Sequence, residues 1–189
     1  MYVLAKQRGL TLLELLASLT ILGICSSIAI SSWQNTIRQA RSNEIAGELM
    51  QLVNYARQEA VYKNHTITLC GSSDGEHCNG RWLEHILVFM DQDADGVRDP
   101  EDALLQDAQL PAHTTGSLSW RSFRNKSYLQ LQASGTTYFQ NGHFTYCPAD
   151  GKLRFARHLI LNVSGYLRMA IDRNGDGIVE TANGEALRC

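Results

Sequence analysis

Residues 10–30, LTLLELLASLTILGICSSIAI, hold 21 positions and one charged side chain, Glu14. Wound as an α-helix the run is roughly 31 Å long, about the thickness of a bilayer's hydrocarbon core. A buried helix of a soluble protein is rarely this long and this apolar, so the run reads as a membrane-spanning segment. Lys6 and Arg8 precede it, and basic flanks stay cytoplasmic, which sends the rest of the chain across the membrane. A removable secretory signal would order charge, apolar core and then a small-residue cleavage site. Here the small boundary residue, Gly9, comes first. Cutting there would remove residues 1–9 and leave the apolar helix on the mature protein. Glu14 is the anomaly, because a carboxylate in hydrocarbon is costly unless it is paired, protonated or close enough to the interface to snorkel.

The chain has 189 residues, 44% apolar and 19% charged, which suits one globular domain behind an anchor. Its net charge of −2 conceals two opposed segments. Residues 70–110 carry ten acids against Arg81 and Arg98, a local balance of −8. Residues 116–169 carry Arg121, Arg124, Lys126, Lys152, Arg154, Arg157 and Arg168 against Asp150 alone, a balance of +6. These segments read first as solvated faces that offset one another, and second as a surface for nucleic acid or an acidic partner.

Beyond the apolar run, residues 34–63 continue with helical periodicity. Ile37, Ile45, Leu49, Leu52, Ala56 and Ala60 form one apolar stripe, and Asn64 opens the turn that ends it. The pattern then changes to short strand candidates at 65–70, 85–91, 128–132, 143–147, 152–155, 158–163 and 166–171, separated by Gly-containing turns. One long helix followed by antiparallel strands is an α+β arrangement, with the sheet covering the helical stripe.

The opening KQRG followed by LTLLELL resembles the class III signal of type IV pilins and type II secretion pseudopilins. The resemblance implies a type IV pilin-like fold, in which a long N-terminal helix packs on an antiparallel β-sheet domain. It also implies that a prepilin peptidase cuts after Gly9 and methylates the new amine at Leu10. Glu14 would then pair with the N-terminal amine of a neighbouring subunit, which makes its charge tolerable in a low-dielectric filament core. The expected organisation is a leader over 1–9, a transmembrane and filament-core helix over 10–31, its amphipathic continuation over 32–64, and a periplasmic domain over 65–189. Many relatives carry a proline two-thirds along the apolar helix; this chain has AISSWQN there and no proline before Pro100, so no kink is expected.

Two further stretches, LVNYARQEAVYKNHTITLCGSSDGEHCNGRW and ILVFMDQDADGVRDPEDALL, together with a late Gly-x-x-Arg turn, resemble the GspH/FimT branch of minor pilins. The likeness covers most of residues 6–169. It implies a single-pass protein of the bacterial inner membrane, assembled with other minor and major pilins or pseudopilins into a type IV pilus or a type II secretion pseudopilus.

Cys25 lies in the apolar run and reads as a small apolar residue. Cys70, Cys78, Cys147 and Cys189 lie in the part expected in an oxidising periplasm, where four cysteines allow three pairings. CGSSDGEHC is a turn that can close on itself, which favours Cys70–Cys78 and leaves Cys147–Cys189 to hold the tail. A zinc site of Cys70, His77, Cys78 and His85 is the rival, although it lacks a Cys-x-x-Cys pair.

DQDADGVRDPED, residues 91–102, has the spacing of a calcium loop: Asp91, Asp93 and Asp95 alternate, Gly96 follows, and Asp102 stands twelfth. Asp102 is shorter than the usual final Glu, and the alternative is a polar turn, since Asp and Gly favour turns in any case. DRNGDGIVE repeats the pattern with Asp172, Asn174 and Asp176. Calcium is therefore the candidate ion.

No catalytic constellation stands out. The six histidines are scattered, no Gly-x-Ser-x-Gly or phosphate-cradling loop occurs, and the acids sit in turns, so an enzyme is not expected. Two roles remain. One is a structural subunit that primes filament assembly at the tip. The other is DNA capture in natural transformation, which some FimT-like relatives perform with a late Gly-Arg-x-Arg turn. The matching stretch here is Gly165-Tyr166-Leu167-Arg168, so Tyr166 replaces the first arginine, and the tail beyond it carries four acids against Arg173 and Arg188. Clustered cations would still attract phosphates. Titrating duplex DNA against the chain at rising salt separates the roles. Phosphate-mediated binding through six or more contacts falls by about a thousandfold or more between roughly 50 and 200 mM salt, whereas a purely structural subunit shows no binding to lose.

Overall fold

The computed structural model describes residues 11–111, 114–137 and 139–189, with the side chains of residues 25 and 27–32 left aside. Gly9 and Leu10 thus lie outside the described residues. Helix α1 runs over Leu12–Lys63 without interruption, as expected of a stretch that lacks proline. Its end is fixed locally. Asn64 takes a left-handed φ of 53° and the His65 N–H bonds the Ala60 carbonyl at 3.2 Å, a Schellman termination with asparagine in the usual glycine position. Among the described residues, no helix is long and apolar enough to cross a membrane.

The chain divides into two compact units, one up to Gln39 and one over Ala40–Cys189. In the second unit two four-stranded antiparallel sheets follow the helix. The first has the order β3-β2-β1-β5, built from β1 Ile67–Ser72, β2 His85–Met90, β3 Ala103–Ala108 and β5 Tyr128–Leu131. The second has the order β4-β6-β7-β8, from β4 Ser117–Ser122, β6 Gly142–Cys147, β7 Arg157–Leu161 and β8 Leu167–Met169.

One main core joins the helix and both sheets of the second unit, and a smaller cluster of Cys70, Leu87 and Phe89 lies apart from it. Ile45, Ala46, Leu49, Leu52, Val53, Ala56 and Ala60 of α1 pack with Ile67, Leu69, Val88, Leu129 and Leu131 of the first sheet and with Trp120, Phe144, Leu159 and Leu161 of the second. Ile37, placed in the stripe by periodicity, is only half-buried. At the seam between the sheets, Trp82 and Trp120 flank Phe144 at ring-centroid distances of 5.0 and 4.5 Å. The Trp120 Nε1–H also bonds the Tyr128 carbonyl of the first sheet at 3.1 Å.

Three readings of the strands change. The stretch at 152–155 is not a strand: Leu153–Phe155 forms a 3₁₀ turn that buries Phe155. The charged alternation of KLRF imitates a strand, but only one of its apolar groups faces inward. β3 leaves little strand signal in the sequence because it is an edge strand that is mostly exposed, so ALLQDA carries little alternation. β4 leaves little because Ser117 to Ser122 offers only Leu118 and Trp120 to the core.

The late glycine turn has a packing role. Gly165 has a φ of +79°, and a Cβ there would stand 2.2 Å from the Gly135 carbonyl oxygen. The Arg57 Nε–H of α1 bonds that same carbonyl at 3.0 Å, while the Arg57 guanidinium lies 4.3 Å from the Tyr166 ring centroid. Gly165→Ala therefore meets both left-handed strain, roughly 1–2 kcal/mol alone, and a backbone collision. The expected result in chemical denaturation is a lowered midpoint with an unchanged m-value, by more than Gly151→Ala causes, since nothing lies within 4 Å of that glycine.

Candidate functional site

Thr11 and Glu14 form a capping box at the start of α1. The Glu14 N–H bonds Thr11 Oγ1 at 3.3 Å, and Glu14 Oε2 accepts from both the Thr11 N–H and the Thr11 hydroxyl at 3.4 Å. The carboxylate thus satisfies a backbone donor at the positive end of the helix, and its exposed side chain remains open to an outside cation.

The four cysteines are joined as Cys70–Cys78 and Cys147–Cys189. That arrangement replaces the zinc rival, because both thiols are consumed and the histidines are engaged elsewhere. His77 Nδ1 lies 2.9 Å from Asp74 Oδ2, and His85 Nδ1 lies 2.9 Å from Asp107 Oδ1. The small loop is organised around Asp74. Backbone N–H donors from His77 and then Glu76 hold its carboxyl well below the usual carboxylate range. The longer bridge, 42 residues apart in sequence, closes the larger loop and therefore restricts the unfolded chain more.

The acidic loop 91–102 folds across the outer face of the first sheet. Asp91 is 1% exposed, and its Oδ2 accepts from the Thr68 hydroxyl at 2.6 Å, Gln130 Nε2 at 2.9 Å and the Gly96 N–H at 3.0 Å. Gly96 (φ +84°) lies so close to the Tyr128 ring that a Cβ would sit 2.2 Å from it. Asp102 closes the loop, with Oδ1 accepting the Gln92 N–H and Oδ2 the Asp99 N–H. Asp102 therefore acts as a staple for the loop, not as a twelfth-position ligand gathered with the rest. Asp91, Asp93 and Asp95 do come together, with one carboxylate oxygen from each within 4.8 Å of the others. Asp99 is exposed; partial desolvation, then the charges of Asp95, Asp102, Asp93 and Glu101, raise its carboxyl above its ordinary value.

In the second loop, Asp172 accepts the Gly175 and Gly177 N–H groups, Asn174 accepts the Asp176 N–H, and Asp176 accepts the Ile178 N–H. All three side chains are exposed. These bonds account for the turn without an ion.

The basic residues are spread over several elements. Arg121 lies on β4 and Arg168 on β8, while Arg124 and Lys126 lie between β4 and β5, where they sit over Phe139 at 5.4 Å and Tyr128 at 5.4 Å. Lys152 pairs with Asp150, and Arg154 stacks over Phe155 at 5.6 Å. Arg157 is corrected outright as a phosphate contact. It is 2% exposed, its Nε–H bonds Asn43 Oδ1 at 2.9 Å, and its Nη1 donates to the Arg154 and Ala156 carbonyls. It ties β7 to α1. The Asn43 partner lies 114 residues away in sequence, and sequence alone carries no signal of it.

The outer face of the second sheet forms a cleft of about 580 Å³ under the C-terminal tail, lined by Arg121, His143, His158, Glu185 and Arg188 among others. The His143 and His158 rings are 4.6 Å apart, and His158 Nδ1 lies 3.0 Å from Thr145 Oγ1. Burial, then the charges of His143 and Arg168, lower the His158 imidazole to about 4. Burial, then Arg121, lowers His143 as well. Both rings are neutral near pH 7, and they act as a packed polar layer.

The family model described as Type II transport protein GspH matches residues 46–165, and that described as Prokaryotic N-terminal methylation motif matches residues 4–30. The chain belongs to the GspH family. The GspH match contains the helix stripe from Leu49 onward, the Cys70–Cys78 loop, the acidic loop and Gly165; the methylation motif contains Gly9, Leu10 and Glu14. Among solved structures, the type IV minor pilin FimU of Pseudomonas aeruginosa (strain PAO1) is 21% identical over 73% of this chain and 91% of its own, with a TM-score of 0.50. The minor pseudopilin EpsH from the Type 2 Secretion System of Vibrio cholerae is 12% identical over 66% of this chain and 91% of its own, with a TM-score of 0.45. No curated protein matches the chain.

The histidine layer of this GspH-family chain makes its stability depend on pH. Because the folded-state pKa of His158 is below the unfolded value of about 6.5, the unfolded state binds more protons as the medium acidifies. The stabilisation is complete above pH 6.5 and is lost as pH falls towards 4. Thermal melting should show a lower Tm at pH 5 than at pH 7, corresponding to about 1–2 kcal/mol. His158→Gln, which keeps a partner for Thr145, should flatten that difference.

Proposed function

We propose that this GspH-family chain is a minor subunit cleaved by prepilin peptidase after Gly9, N-methylated at Leu10, and assembled at the tip of a type IV pilus or a type II secretion pseudopilus, where it primes assembly. The match of residues 4–30 to the N-terminal methylation motif carries this reading. Residues 10–31 hold the subunit in the bacterial inner membrane as a single pass before assembly, and residues 65–189 lie in the periplasm. Its partners are the other minor and major pilins or pseudopilins.

The chemistry follows from the order of residues. Cleavage creates an amine at Leu10, next to the Thr11 that Glu14 already caps. In the uncut chain the carboxylate is satisfied by its own helix end. In a filament, the amine of a neighbouring subunit offers a full positive charge in the same place, and a paired charge is far cheaper in an apolar core than a lone one. Glu14 thereby sets the register between subunits. No catalytic role is proposed for the chain.

Co-expression with prepilin peptidase and intact-mass measurement test the first step. The expected product lacks residues 1–9 and carries one added methyl group, and Gly9→Val remains uncut. Glu14→Gln should still be cleaved, yet should enter isolated filaments at least about tenfold less, equivalent to 1.4 kcal/mol or more. Normal incorporation of that variant would remove the charge-pair mechanism. Tight duplex-DNA binding at physiological salt would move the reading to DNA uptake.

A further inference from the structure

Asp91 leaves a problem that its own fold does not solve. The residue is 1% exposed and Oδ2 is saturated by three donors, yet Oδ1 is buried with no hydrogen-bond partner. A buried carboxylate oxygen without a donor keeps its full desolvation penalty. Among the described residues no lysine or arginine forms an ion pair with Asp91, and its carboxylate neighbours Asp93 and Asp95 add like charge. Native structures rarely leave such an atom unmatched unless an ion or water completes it.

From this we infer that loop 91–102 binds a calcium ion through Asp91 Oδ1 and the carboxylates of Asp93 and Asp95. The geometry suits such an ion. Oxygens that share a calcium at 2.3–2.6 Å lie no more than about 5 Å apart, and one oxygen from each of the three carboxylates falls within 4.8 Å of the others. Magnesium needs near-ideal octahedral ligands at shorter distances, which an exposed Asp93 and Asp95 on a turn do not preset. The ion would give Asp91 Oδ1 its missing partner and tie the loop to the outer face of the first sheet, to which Thr68 and Gln130 already fasten Asp91. The loop at 172–180 has a similar spacing but only exposed ligand side chains, each bonded to a local amide, and it takes no part in the site.

The test uses the full-length chain in detergent micelles, stripped of metal with a chelator. Calcium chloride and magnesium chloride are titrated separately by calorimetry, and Tm is followed at each concentration. One calcium should bind per chain, with a Kd of about 10⁻⁴–10⁻³ M, as in extracellular modules, and Tm should rise with calcium. The Asp93→Asn, Asp95→Asn double variant keeps the acceptor oxygens that bond the Asp95 and Val97 N–H groups. It should retain the metal-free Tm and weaken calcium binding at least about tenfold, a loss of roughly 1.4 kcal/mol or more. Asp172→Asn with Asp176→Asn should leave the affinity unchanged. Absence of both heat and Tm shift up to roughly 10 mM calcium, ten times the weakest such modules, would overturn the site. So would equal affinity for magnesium, or undiminished binding by the Asp93, Asp95 variant.

Discussion

The fold depends on one contact: the packing of the second half of α1 against both sheets at once. Small residues make it possible. Ala46, Ala56 and Ala60 are fully buried and let strand side chains approach the helix closely, while Ile45, Leu49 and Val53 fill the space between. Without that stripe the two sheets would each expose an apolar face. Trp82, Trp120 and Phe144 then close the seam where the sheets meet, and the indole N–H of Trp120 joins them by a hydrogen bond as well as by packing.

With the inner faces committed to this core, the outer faces are free to differ. On the first sheet the outer face sets a small apolar cluster of Cys70, Leu87 and Phe89 beside a polar network. Gln130 and Gln140 bond each other side chain to side chain, Gln130 also reaches Asp91 and the Ala94 carbonyl, and Thr68 completes the set. This network holds the acidic loop in place, and it explains why Thr68 and Gln140 are polar yet buried. On the second sheet the outer face carries neutral imidazoles and is covered by the tail, which the Cys147–Cys189 bridge fastens. The acidic half of the charge pattern lies on and around the first sheet, whereas the basic half is divided: Lys126 sits over Tyr128 of the first sheet, Arg121 and Arg168 lie on the second, and Arg157 is spent inside the fold.

Within the second unit, polar contacts as well as packing hold the helix against the sheets. The Schellman end at Asn64 and the Arg57 contact to the Gly135 and Gly165 turns anchor the helix's last turns to the domain. Arg157 and Asn43 do the same some four turns earlier. Polar contacts at both ends of the packed stripe fix the helix along its axis, which apolar packing alone leaves free to slide.

Sequence by itself determined what depends on local pattern. It marked the apolar run with Glu14, the helical stripe, most of the strands and the spacing of the two acidic loops, because periodicity and turn chemistry act over a few residues. The close placement of Cys70 and Cys78 was legible for the same reason. Tertiary structure decided what depends on burial and on distant partners. Arg157 and Arg154 look alike in sequence, yet one is buried against Asn43 and the other stacks near the surface. Asp91 and Asp102 are both acids of one loop, but only Asp91 keeps a buried oxygen without a donor, while Asp102 gives both oxygens to backbone amides. Residue type sets what a group can do; the surrounding dielectric and the partners brought in from far along the chain decide which of those things it does.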